Sequence, residues 1–292
     1  MKAIDRILAA VDFSERSRVA LGFAARLAGQ FKADLHVMHA QDPLLTAASE
    51  HHGINLARDT EDELRTFVAA TWPATRCGLH FDVIVGPAAR AISQAAERER
   101  ADVIVMAAHG MSVTQHALVG STTEGVLRRS KVSVFVVPDQ WQAAAPDAPD
   151  LRGEGPLIVG MDFRIPAIEA AADAAQLATS LRTGMILVHV VPSLTVLARW
   201  REQADAAVAA KAAEATREIE RVAATVSGGA PTRVVVERGR VDGCLVDVAH
   251  AHPKTILIVG RSIHPQGFAP PGRTAYRVLT RANVPVLMHV AR

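Results

Sequence analysis

Between Met106 and Arg129 the chain reads MAAHGMSVTQHALVGSTTEGVLRR, where small residues lead to Gly110 and then to Gly120-Ser121-Thr122 at the start of a helical pattern. The chemistry such a stretch could do is anion binding: glycine lets backbone N–H groups approach a phosphate, and Ser or Thr opening a helix adds a hydroxyl donor. A turn before an ordinary helix has the same composition, so these residues alone leave both readings open. A carboxylate, Asp12, ends the first apolar run of the chain. The twelve histidines raise metal binding, but His51-His52, His250-x-His252 and the pair His36 and His39 have no Cys or carboxylate partner at ligand spacing. Packing or surface roles are expected for them. No Ser-His-Asp ordering, G-x-S-x-G elbow or Walker A lysine occurs, so neither a nucleophile nor a γ-phosphate clamp is visible.

The elements that must position these residues follow from an internal repeat. ILAAVDFS from Ile7 resembles LIVGMDFR from Leu157, with Asp162 standing 150 residues after Asp12, and His189 follows His39 by the same 150. Later the offset is 153, where Ile92 meets Leu245 and Met106 meets Val259, and VSVFVV from Val132 meets VPVLMH from Val284 at 152. An offset that changes only between apolar runs is the mark of a duplicated domain. Each half alternates short β-rich runs with longer helical patterns, which predicts α/β domains with a five-stranded parallel sheet and helices on both faces. In the first half the strands are expected at 4–11, 34–40, 79–85, 103–107 and 132–137. The first helix should start after Ser14 and bury Ala20, Phe23, Ala24, Leu27 and Phe31, and its counterpart should carry Pro166 at its first position. The Ala-rich stretch from Val196 to Val226, stopped by Gly228 and Gly229, reads as a surface helix. Domains are expected at 1–138 and 156–292, joined by a Pro-, Ala-, Asp- and Gly-rich linker at 139–155.

Composition removes several classes of function. The chain has 292 residues, a net charge of +2 and no basic tail, and its aromatic share is 4%, so neither phosphate attraction nor base stacking favours nucleic acid. Two cysteines, Cys77 and Cys244, make no disulfide framework, and the apolar run after Lys2 and Arg6 ends at Asp12, too short for a signal or a membrane span. A cytoplasmic protein is expected.

In an open parallel sheet, ligands bind beyond the carboxyl ends of the strands at the switch point, here between the first and fourth strands, which singles out Asp12, Ala40 and the segment after Met106. At these residues the sequence resembles the universal stress protein family. The features are a strand ending in Val11-Asp12-Phe13-Ser14, a second ending near His39, and Ala107-x2-Gly110-x9-Gly120-Ser121 against the family's G-x2-G-x9-G-[S/T]. The resemblance covers the chain twice. It implies a Rossmann-like, doubly wound fold with strand order 3-2-1-4-5 in each half. It also implies adenine nucleotide binding, as ATP with or without Mg²⁺: Asp12 and the backbone at Ala40 at adenine and ribose, Met106 and Ala107 beside them, and Gly110, Gly120, Ser121 and Thr122 at the phosphates.

Two departures bear on this. Ala107 stands at the first motif glycine, which obstructs only if its φ is positive or the ligand packs on the α-carbon. Met111 stands where the family often has a basic residue, leaving the helix terminus and His116 to supply the field. In the second half Asp162 and Gly260 remain, but Ile263 replaces the second glycine, Arg273 replaces Ser/Thr, and Pro265, Pro270 and Pro271 remove amides from the loop. A degenerate second site is expected, the alternative being another anion held by Arg261 and Arg273. The leading function is thus a nucleotide-binding regulatory module without a catalytic constellation. A weak ATPase or related enzyme, and a structural protein that binds no nucleotide, compete with it. The apolar last strands, exposed at the sheet edge in the implied topology, are expected to be hidden by pairing within the chain or across a homodimer.

Overall fold

In the computed structural model, which describes residues 4–51, 55–72, 78–110, 119–142, 150–152, 154–193, 197–252, 254–261 and 272–290, internal packing separates two units. One spans Lys2–Arg152; the other is built on Gly153–Ser262 and Gly272–Arg292.

The first unit runs β1 (Arg6–Val11), α1 (Glu15–Phe31), β2 (Asp34–Gln41), α2 (Pro43–His51), α3 (Leu56–Thr71), β3 (Leu79–Val85), α4 (Ala88–Arg98), β4 (Val103–Ala107), α5 (Ser121–Arg129) and β5 (Ser133–Val137). Its strands pair in parallel in the order β3-β2-β1-β4-β5. The second unit repeats the plan with β6 (Leu157–Met161), α6 (Ile165–Leu181), β7 (Met185–Val191), α7 (Arg201–Val226), β8 (Thr232–Arg238), α8 (Val241–Ala251), β9 (Ile256–Arg261), α9 (Arg273–Arg281) and β10 (Val286–Val290). Its order is β8-β7-β6-β9-β10, again parallel. The fold is therefore the doubly wound α/β arrangement read from the sequence, present twice.

Local signals explain where the elements begin and end. Ser14 caps α1 by accepting the Ser17 amide at 3.1 Å, and Pro166 occupies the first turn of α6, where a missing N–H costs nothing. Lys32 and Arg182, 150 residues apart, close α1 and α6 in the left-handed conformation at φ 55° and 56°. Gly228 and Gly229, at φ 51° and 90°, stop α7, whose buried face is Ala204, Val208, Ala215 and Ile219. The first core is built by Leu8, Ile104 and Leu21 with an edge-to-face pair, Phe23 of α1 on Phe135 of β5 at 5.0 Å. Each fully buried side chain of this size contributes roughly 1.5–3 kcal/mol. Helices α4 and α5 cross closely: a Cβ on Gly125 would fall 2.6 Å from the Ala89 methyl. Within the segment read as a linker, Trp141 packs on Phe23 at 5.2 Å and Leu151 is buried; residues 143–149 and 153 lie outside the described ones. Cys77 and His52 also lie outside them, while Cys244 is a free thiol pushed up by burial. No helix among the described residues is long and apolar enough to cross a membrane.

The histidine pair His36 and His39 is divided by the pleat. His36 stacks on His80 of β3 at 4.4 Å, with Glu99 3.7 Å away, whereas His39 bonds to a backbone carbonyl of β1. No group of three metal-ligating side chains forms among the described residues. Burial, then the neighbouring His80, pushes His36 below its ordinary value of 6.5. A group whose folded pKa is depressed contributes fully above the unfolded value and loses that contribution as pH falls below about 6.5. Urea unfolding should therefore show stability declining from pH 7 to pH 5, with a shallower decline in His36→Gln; equal slopes would refute this origin.

Candidate functional site

The chain leaves β1 through a turn with an unusual residue. Phe13 lies at φ 65°, a conformation costing a non-glycine residue about 1–2 kcal/mol, so something must hold it there. Its ring packs on His39 at 4.7 Å and edge-on to Phe67 at 5.6 Å, while His39 Nδ1 lies 3.0 Å from the Val11 carbonyl. A carbonyl only accepts, so Nδ1 carries the proton and donates. The turn aims Asp12 across the strand ends. Asp12 Oδ1 accepts from the Ser14 amide at 3.1 Å and the Ser14 hydroxyl at 2.6 Å, and its backbone N–H points to Ser17 Oγ at 3.4 Å.

Asp12, Ala40, Met106, Ala107, Gly110 and Thr122 line one cleft together with Val11, Met38, His39 and His109. It opens at the carboxyl ends of β1, β2 and β4, at the topological switch point. Gly110 lies close to the carboxylate: a Cβ there would fall 2.6 Å from Asp12 Oδ2, so a side chain would displace it. Ala107 has no positive φ and is accommodated without backbone strain; its carbonyl accepts the buried Thr123 hydroxyl at 3.0 Å, which ties the first turn of α5 to the end of β4. Gly120 caps α5 with an ordinary φ of −61°. Its need is again steric, since an added Cβ would meet the Ala108 carbonyl at 3.3 Å and the His109 Cα at 3.4 Å. The Gly120 amide donates to the Ala108 carbonyl at 2.9 Å. No side chain caps the helix, so the donors it presents are the amides of its first turn, starting at Ser121 and Thr122. Met111 and His116 lie outside the described residues.

The structure brings a cation to the loop that sequence reasoning missed. Arg16, from the first turn of α1, donates to the Gly110 carbonyl at 3.0 Å and pairs with Asp139 at 2.8 Å; His109 Nδ1 lies 3.8 Å from the same carboxylate. The Phe13–His39 device was also missed, although Asp-Phe and the later histidine recur in both halves, which was the available signal.

The second unit keeps the turn and packs differently at the end of its fourth strand. Phe163 lies at φ 62° with its ring 4.6 Å from His189, whose Nδ1 donates to the Met161 carbonyl at 2.8 Å. Asp162, with its side chain 61% exposed, accepts from the Arg164 amide. A Cβ on Gly260 would fall 2.4 Å from the Pro166 carbonyl, so the end of β9 lies directly against the first turn of α6. Pro166 stands at the position of Arg16. Arg261 is buried, and desolvation lowers it to about 10, while Arg273 is exposed at the start of α9. Ile263 and the three loop prolines lie outside the described residues.

Thr123 provides a direct check of how the cleft floor is held. Thr123→Val keeps the shape but leaves the Ala107 carbonyl without its buried donor, which should cost about 1–3 kcal/mol in urea unfolding, whereas Thr123→Ser should retain most of it. A valine variant as stable as the parent would contradict the tie.

Comparison with known proteins agrees with this architecture. The structure of a universal stress protein from Archaeoglobus fulgidus DSM 4304 aligns over 99% of this chain and 98% of its own, with TM-score 0.68 and 19% identity. That of a protein of unknown function from Pseudomonas aeruginosa PAO1 aligns over 98% of this chain and 92% of its own, with TM-score 0.63 and 16% identity. At these identities the likeness is one of fold. No curated protein matches the sequence. The pattern of the Universal stress protein family matches residues 3–138 and again 155–289, nearly the whole chain. With the same five-stranded unit present twice, the chain belongs to the universal stress protein family, as a tandem of two domains.

Proposed function

We propose that the first unit binds one adenine nucleotide, ATP with Mg²⁺, in the cleft between Asp12 and the start of α5, and that the protein acts as a nucleotide-dependent regulatory module rather than an enzyme. The observation that carries this is the convergence of Asp12, Ala40, Met106, Ala107, Gly110 and Thr122 on one opening. The fit is chemical as well as spatial. An apolar slot of Val11, Met38 and Met106 suits a purine ring, and the Asp12 carboxylate can accept from a ribose hydroxyl or the exocyclic amine. The uncapped first turn of α5 offers amide donors and the positive end of its dipole to phosphate. Arg16, paired with Asp139 and bonded to the Gly110 carbonyl, brings a guanidinium to this loop where Met111 brings no charge. Asp12 and Asp139 add negative charge nearby, which makes a divalent cation favourable alongside a polyphosphate. In the second unit the close approach of Gly260 to the Pro166 backbone supports reading the corresponding position as unavailable to a nucleotide.

Titration calorimetry with Mg²⁺-ATP should give one site per chain. Gly120→Val, which forces a side chain against Ala108 and His109, should weaken binding at least tenfold, the loss of a charge-assisted phosphate bond being worth about 1.5–3 kcal/mol. Gly272→Val, which has open space around its Cβ, should leave affinity unchanged. No heat with any adenine nucleotide would favour the non-binding reading, and steady phosphate release with ATP would favour an enzyme.

A further inference from the structure

In the second unit a buried carboxylate gathers three arginines. Asp242, in the first turn of α8, has a side chain only 6% exposed; its Oδ2 lies 2.9 Å from Arg240 Nη2 and 3.3 Å from Arg281 Nη1, and its Oδ1 lies 3.8 Å from Arg277 Nη1. Burial alone would raise Asp242, but the hydrogen bond and charge of Arg240, with Arg277 behind them, hold it below the usual carboxylate range. It is therefore ionised, and three guanidinium groups facing one carboxylate leave a surplus of two positive charges. Among the described residues, Asp242 is the only carboxylate that pairs with any of the three.

Holding α8 to α9 does not require this arrangement, and the chain contains its own control. In the first unit the same helix pair, α4 and α5, carries Ala89 where α8 carries Asp242 and Gly125 where α9 carries Arg277. That crossing is closed by direct contact of small residues. Nor is the arrangement the minimum needed to neutralise a buried carboxylate, which one well-placed arginine achieves. Arg277 and Arg281 stand four apart on α9, a spacing at which like charges repel. Their side chains are about half exposed, at 44% and 49%, and that of Arg240 is 69% exposed, so each five-donor side chain is partly open to solvent.

We propose that Arg240, Arg277 and Arg281, organised by Asp242, form an anion site on the second unit that takes the dianionic phosphate group, free or as a monoester. The charge count selects the ligand class. A phosphate monoester carries about −1.5 to −2 at neutral pH and cancels the surplus, whereas one carboxylate leaves half of it uncompensated. Planar guanidinium forks also match phosphate oxygens in pairs. The site is separate from the cleft of the first unit and does not depend on nucleotide binding there.

The test titrates the full chain with inorganic phosphate and, in parallel, with phosphoserine, at low ionic strength, by calorimetry. Arg240→Gln should weaken binding threefold or more, and Arg277→Gln with Arg281→Gln tenfold or more, while Gly120→Val leaves it intact. Equal affinity for the two probes would assign the free phosphate group, and tighter phosphoserine binding the ester. Because Arg240 is exposed, its variant retains the fold, as circular dichroism will verify, and keeps the test decisive if the double variant does not fold. Absence of binding up to about 10 mM phosphate, affinity unchanged in Arg240→Gln, or binding lost in Gly120→Val would each overturn the proposal.

Discussion

The turn that follows the first strand of each unit governs where the chemistry can stand. A phenylalanine held left-handed would relax to an ordinary conformation if left alone, and that relaxation would swing the preceding aspartate away from the strand ends. The imidazole of His39 prevents it by two contacts, ring against ring and Nδ1–H to the Val11 carbonyl. With Asp12 so placed, a side chain at Gly110 would displace it, because a Cβ would meet the carboxylate at 2.6 Å. The place of Gly110 after β4 is thus linked to a ring carried by a different strand, β2. The second unit builds the same turn from Phe163 and His189, so the device belongs to the fold and not to ligand binding alone.

The two units differ at the end of the fourth strand. Ala107 carries a methyl group where its counterpart Gly260 has none. Around Ala107 the cleft stays open, with Arg16 reaching from α1 to the Gly110 carbonyl. Around Gly260 the Pro166 backbone moves into contact. The departure from the family motif, alanine for glycine, thus lines the cleft of the first unit without backbone strain. In the second unit the glycine lets the end of β9 lie against the Pro166 backbone. Divergence also reaches the helices: small residues close the crossing of α4 and α5, and an ion cluster occupies the matching crossing of α8 and α9.

Much of the fold was legible because duplication printed it twice. The offsets of 150, 153 and 152 placed strands and first helices, and Ser14, Pro166 and the Gly228-Gly229 pair marked helix ends by mechanisms that act within a few residues. The site was legible as a set of positions, since six of the eight named residues line one cleft. Two features were not legible. Arg16 reads in sequence as one more charge on the solvent face of an amphipathic helix, and only the fold brings its guanidinium to a loop 94 residues away. The Gly120 amide reads as a phosphate donor, yet it donates to the Ala108 carbonyl. Its contribution is therefore space, and the donors move one residue into the helix.

The two units, alike in fold, are proposed to differ in whether they admit a nucleotide. The most direct measurement is photo-crosslinking of the full chain with an azido-adenine analogue of ATP, followed by peptide mapping of the label. The account predicts label on peptides carrying the ends of β1, β2 or β4 of the first unit, protected by excess ATP. Protectable label confined to peptides of the second unit, or shared equally between the two, would contradict it.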